Sequence, residues 1–192
     1  MAVNAPSNAP WARNPQLRIA AAVAVALAVA LAVWLVVRSG DSGSSPPAAV
    51  NPIAPEAATP DRLQSLSHEL GRPIYWLGPL PDRTYELQRT AQDRVFVRYL
   101  PPGAEVGTSK RYAFVGTYAV PNALGVLKAL AKNEGERSFT APNGGFAVYS
   151  TSLPTNVYLA FPDEDVQIEV FDPSPQGAQA LVSSGKVVPV AS

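Results

Sequence analysis

The chain has 192 residues, in which fifteen Lys and Arg balance fifteen Asp and Glu, with one His and no Cys. That inventory excludes a disulfide framework, a lipid-modified N-terminal cysteine and a Cys/His zinc site. It also excludes the strong positive excess that nucleic-acid binding needs, and it implies no cofactor.

Residues 1–16 read as a short cytoplasmic tail, because Arg13 stands ahead of the apolar run, Arg18 sits at its start, and no acid occurs before Asp41. Leu17 to Val37 (LRIAAAVAVALAVALAVWLVV) is apolar except for Arg18. A bilayer core takes about 20 apolar residues in a helix, so residues 17–38 are expected to span the membrane with the C-terminus outside. Ala alternates with Val or Leu from Ala22 to Ala32, a pattern of strands. Both alternating sets are apolar, however, and an isolated strand would leave its backbone unpaired in lipid. The run also exceeds a secretory h-region and ends Trp34-Leu35-Val36-Val37-Arg38 without a small-x-small site, so it reads as a retained anchor. Its contact with the lipid bilayer is the one partner that composition implies. Ala20, Ala24, Ala28 and Ala32 form a small-xxx-small stripe that would allow weak dimerisation, with a monomer as the default.

Residues 39–58 hold four of the five prolines between Ser39 and Pro60, at positions 46, 47, 52 and 55, and only two charges, Asp41 and Glu56. Without apolar periodicity they read as a disordered linker. Residues 59–192 are long enough for one core. Thr59 caps a predicted helix with Pro60 at its first position, Leu63, Leu66 and Leu70 on one face, and Gly71 as its stop. Short runs rich in β-branched and aromatic residues follow: Pro73–Leu77, Thr84–Arg89, Arg94–Leu100 and Lys110–Val120. In the third, Val95, Val97 and Tyr99 point one way and Arg94, Phe96 and Arg98 the other. Their connectors are too short for crossover helices, which predicts antiparallel pairing. A second helix opens at Asn122, with Leu124, Leu127, Leu130 and Ala131 along one face and Gly135 as its end. Strands are then expected at Gly145–Thr151, Asn156–Phe161 and Val166–Asp172, a last helix uses Ala178, Leu181 and Val182, and Lys186–Val190 adds an edge strand. The expectation is an α+β domain: a mainly antiparallel sheet of six to seven strands with about three helices packed on one face.

The stretch LGRPIYWLGPLPDRTYELQRT…RVFVRYLPPG, with VGTY and PNA further on, resembles an uncharacterised family of single-pass, membrane-anchored exported proteins of high-GC Gram-positive bacteria. The resemblance implies an address at the cytoplasmic membrane and carries no activity.

Chemistry is sparse. His68, the only imidazole, falls in a predicted helix, and no G-x-S-x-G elbow accompanies it. Asp163-Glu164-Asp165 lacks the spacing of a Ca²⁺ loop and reads as a solvated hairpin tip. Gly103–Lys110 lacks the Gly-Lys-Ser/Thr order of a phosphate loop and leads into a strand. Tyr75 and Trp76 should face opposite sides of a strand and pack in the core. Glu86 and Glu169 are the pair a carboxylate hydrolase could use, or else outward-facing solubilising residues. Within the domain ten basic residues face six acids up to Lys132, and two face seven beyond it. The two halves are expected to pair across the fold. No residue qualifies as catalytic, cofactor-binding or metal-binding. The reading is therefore an extracytoplasmic binding, sensing or interaction module, engaging an envelope protein or glycan, with an envelope hydrolase as the alternative. Dialysis of the chain against a chelator should leave its melting temperature unchanged; a loss of several degrees would show a structural metal.

Overall fold

The computed structural model describes residues 50–190. The predicted span, the Ala stripe and the tail lie outside these residues. Among the described residues no helix is long and apolar enough to cross a membrane.

The described chain is an α+β domain with an antiparallel sheet of eight strands and three helices. In chain order the elements are β1 (Ile53–Ala58), α1 (Pro60–Leu70), β2 (Tyr75–Trp76), β3 (Thr84–Arg89), β4 (Arg94–Leu100), β5 (Phe114–Ala119) and α2 (Ala123–Leu130). Then come β6 (Glu136–Thr140), β7 (Phe146–Ser150), β8 (Leu153–Ala160), β9 (Val166–Phe171), α3 (Gly177–Ser183) and β10 (Val188–Pro189). The large sheet runs β1-β3-β4-β5-β9-β8-β7-β6, and β2 pairs with β10 in a separate ribbon. Each half of the sheet therefore runs from an edge strand inward, and the halves meet at β5 and β9.

Local signals explain the ends of α1. The Thr59 side chain accepts from Arg62 N, Pro60 occupies the first turn, and Gly71 takes φ 61°. Alternation explains the sheet: Val95 and Val97 are fully buried and Tyr99 nearly so, whereas Arg94, Phe96 and Arg98 are half-buried on the other face. The core lies on the first face, where Leu87, Val97, Val115, Val157, Ile168 and Val170 meet Leu63 and Leu66 of α1 and Ala178 and Val182 of α3. The β2–β10 ribbon closes it. Having only one strand neighbour, β2 satisfies its remaining donors from below: Tyr75 N donates to Thr117 Oγ1 at 3.0 Å and Leu77 N to Tyr99 Oη at 2.6 Å. Tyr75 stacks on Phe161 and Trp76 meets Tyr85 edge-on, so both rings are core residues as expected.

Three expectations need correction. Residues 53–58 are strand, not linker: β1 pairs with β3, with a register shift between Ile53 and Glu56 that takes in Pro55. An edge strand tolerates proline where its N–H would face outward, so prolines here mark an edge rather than disorder. The large sheet takes six of the expected strands and gains β1 and, as the opposite edge, β6 (ERSFT), while the runs expected at Pro73–Leu77 and Lys186–Val190 leave it to form the β2–β10 ribbon. The exposed residues of β6 carry no apolar alternation. Finally, the helices do not share one face. Ala123 and Leu127 of α2 pack with Val148 and Ala160 on the second face of the sheet, away from α1 and α3.

Because β1 is held by β3, limited proteolysis of the full chain should cut upstream of Ile53 and release a fragment that retains β1. A stable fragment starting at Thr59 would contradict this pairing.

Candidate functional site

The second face of the sheet is where the chain departs from a simple core. Helix α2 covers its β7–β8 side. Over β3, β4, β5 and β9 the same face carries Glu86, Gln88, Phe96, Arg98, Phe114, Tyr118, Glu169 and Phe171, placed in cross-strand rows by the register. One row reads Glu86–Arg98–Phe114–Phe171 and the next Gln88–Phe96–Gly116–Glu169.

Glu86 is fully buried and forms an ion pair with Arg98. Its second oxygen accepts from Gly107 N at 2.5 Å, while Arg98 Nη2 donates to the carbonyls of Thr108 at 3.1 Å and Lys110 at 2.7 Å. These bonds draw the β4–β5 connection, residues 101–113, over the end of the face. Gly107 has φ 79°, a backbone conformation that costs glycine nothing. Its amide is thus engaged by a carboxylate, in agreement with the rejection of Gly103–Lys110 as a phosphate loop.

Against this latched segment lies a concavity of about 310 Å³. Phe96, Phe114 and Phe171 form its floor, Phe96 meeting Phe114 edge-on and Phe114 stacking on Phe171 with centroids 5.1 Å apart. Ser109, Lys110, Arg111 and Tyr112 form the wall. The Arg111 guanidinium sits 4.5 Å from the Phe171 ring centroid, within the range of a cation–π contact. A second concavity of about 260 Å³ opens among Leu77, Leu80, Tyr99, Pro101 and Leu181, with Arg83 and Asp172 both contributing. Its charges are of both signs, and Asp172 is already engaged by the amide and hydroxyl of Ser174.

Glu169 lies deeper. Its oxygens accept from Tyr118 Oη and from Asn156 Nδ2. The Tyr118 ring reaches that carboxylate by folding back over Gly116, where a Cβ would meet Tyr118 Oη at 2.7 Å and Phe96 at 3.2 Å. Glycine at 116 is therefore a space requirement, not a turn. Burial pushes the Glu169 carboxyl above its ordinary value of 4.5, and the bonds from Tyr118 and Asn156 and the charge of Arg94 offset only part of that push. Burial likewise pushes the Tyr118 phenol up, helped by the adjacent carboxylate.

Glu86 and Glu169 share one face but stand three strand spacings, about 14 Å, apart. Glycosidase carboxyl pairs need about 5–9.5 Å, so these two do not form one. Nor are they solubilising outward residues; both are buried and paired. His68 is exposed on α1. The acid cluster is only partly a solvated tip: Asp163 is exposed at φ 62°, but Glu164 accepts from Tyr75 Oη and Asp165 from Asn122 N. Among the described residues no three His, Cys, Asp or Glu side chains converge on a metal position. The four ion pairs among these residues, Arg62–Glu56, Arg72–Asp93, Arg89–Asp93 and Arg98–Glu86, all fall within the basic half of the domain. The expected pairing of the halves does not occur through salt bridges. What sequence reasoning missed is the aromatic floor, whose rings come from three strands. The alternation in β4 that put Phe96 and Arg98 opposite the core was its one visible sign.

Two outcomes test the Glu169 cluster. A folded-state carboxyl raised above 4.5 contributes stability that is full below that value and is lost as pH rises through the folded pKa. The melting temperature should therefore fall from pH 4.5 toward neutrality, and Glu169→Gln should flatten that fall, since the amide does not titrate; its carbonyl can accept from Asn156 while its NH2 donates to the Tyr118 hydroxyl. Gly116→Ala should cost about 1–3 kcal/mol by displacing Tyr118. Unchanged profiles in both variants would contradict the arrangement.

No protein-family model, no curated protein and no solved structure matches this chain.

Proposed function

We infer that the domain is a binding module, displayed outside the cytoplasmic membrane on the Leu17–Val37 anchor, and that its recognition surface is the concavity over β4, β5 and β9. The observation that carries the reading is the combination of a latched loop with an aromatic floor. Binding sites are concave, mostly apolar and largely pre-formed, with a few polar groups fixing orientation. Here the Glu86–Arg98 pair fixes the wall before any ligand arrives, so less ordering entropy opposes association. A binding role rather than catalysis is supported by the state of the acids. Glu86 is consumed by Arg98 and Gly107, Glu169 is held by Tyr118 and Asn156, and His68 is exposed on α1, on the other side of the sheet from the concavity. The membrane address rests on the apolar run and its flanking arginines, together with the family resemblance of the segment from Leu70 to Gly103.

Two measurements test this. A cysteine introduced at Ser44 should react with a membrane-impermeant thiol reagent on intact cells; labelling only after lysis would reverse the orientation. A photoreactive benzoylphenylalanine in place of Ser109 should form a covalent adduct in living cells, while the same group at the exposed Ser65 on α1 should form none. No adduct at 109, or equal adducts at both positions, would contradict the assignment of this face.

A further inference from the structure

We propose that the concavity over Phe96, Phe114 and Phe171 takes a small planar anion: an aromatic or similarly flat group bearing a carboxylate or phosphate. The proposal rests on the binding reading above and names the ligand class for that site. Size comes first. A volume of about 310 Å³ lies at the low end of ligand pockets, which run about 300–1,000 Å³, so the occupant is small. Shape follows from the floor. Phe114 stacks on Phe171 and Phe96 stands nearly perpendicular to Phe114, at 77°, so the floor is an apolar corner of ring faces and edges against which an aromatic group packs edge-on or offset.

Charge decides the rest. The ten residues lining the concavity include Arg98, Lys110 and Arg111 and no carboxylate. Glu86 lies beneath the loop and is already neutralised by Arg98, so it does not oppose an anion in the concavity. Arg98 is consumed as well, by Glu86 and two carbonyls. Lys110 and Arg111 remain, both exposed. Their positions are not those of free surface side chains. The Lys110 carbonyl is held by Arg98, and the Arg111 guanidinium is placed over Phe171, 4.5 Å from the ring centroid, which keeps its charge beside the floor. Ser109 and Tyr112 add hydroxyls on the same wall. A cationic ligand would meet two positive charges with no acid to balance them; a bare inorganic anion would leave the aromatic floor uncovered.

The test uses the full chain in non-ionic detergent and three probes: phenyl phosphate, benzylamine with the same ring and the opposite charge, and inorganic phosphate with the charge but no ring. Binding is followed by ligand-observed NMR titration. Saturable binding of phenyl phosphate is expected, with both other probes at least tenfold weaker. The double variant Lys110→Glu, Arg111→Glu should weaken phenyl phosphate tenfold or more while still melting cooperatively, with only a small loss of melting temperature from the Arg111–Phe171 contact. Lys186→Glu, an exposed cation in the turn between α3 and β10, should leave binding unchanged. Failure of phenyl phosphate to bind, comparable binding of either other probe, or an unaffected double variant would overturn the proposal. If the photoreactive group at 109 still captures a component in cells, the binding face stands and only the ligand class falls; if it does not, both fall.

Discussion

The buried ion pair between Glu86 and Arg98 organises the functional end of this domain. Taking two charges out of water costs several kcal/mol for each ion, and their attraction repays that only when the remaining lone pairs and protons are also satisfied. Here they are: Gly107 N supplies the second carboxylate oxygen, and the carbonyls of Thr108 and Lys110 take the other guanidinium nitrogen. Such a pair adds little net stability, but removing one partner costs about 3–5 kcal/mol because the other is left buried and alone. Its consequence is positional. A thirteen-residue connection between β4 and β5, residues 101–113, would otherwise have few tertiary bonds, and it becomes the wall of a concavity.

The sheet has two faces with different duties. On one, aliphatic residues of six strands bury α1, α3 and the β2–β10 ribbon, and this packing makes the domain stable. On the other, α2 covers only the β7–β8 side, and the rest is built from aromatic rings, arginines and two buried acids. Glu169 sits at the boundary between the covered and the open part, tied to Tyr118 across Gly116. Without a Cβ at 116, the phenol ring can lie on the backbone, and its hydroxyl reaches the one oxygen of the Glu169 carboxylate that Asn156 leaves unpaired. The two acids are thus used for structure, and rings and exposed cations are left for recognition.

What was legible in the sequence follows the strength of each local signal. Thr59, Pro60 and Gly71 bound α1 because capping chemistry acts within a few residues. Strands β3 and β4 fall on their predicted ranges: β4 because alternation against a buried core leaves a period of two, and β3 because its short run is bounded by turn residues on both sides. The edges β1 and β6 were hidden, since an edge strand is held by backbone bonds and its side chains need no pattern. The side of the sheet taken by α2 was also unreadable: its apolar face fits either layer, and what selects one is the presence of Val148 and Ala160 beneath it. For the site, the residue types were visible but their meeting was not. Phe96, Phe114 and Phe171 become neighbours only through the pairings β4–β5 and β5–β9, the second of which joins strands separated by α2 and three further strands.

The account stands most directly on the latch between Glu86 and the loop, and one amide reports it. Gly107 lies in a connection without regular secondary structure, so a free loop would exchange its N–H with solvent at the rate of an unstructured chain. Bonded to a buried carboxylate, it should instead be protected to the level of the amides in β3 and β4, and Glu86→Ala should abolish that protection while those strand amides stay slow. Rapid exchange of the Gly107 amide in the unsubstituted chain would contradict the latch, and with it the pre-formed wall on which the binding site depends.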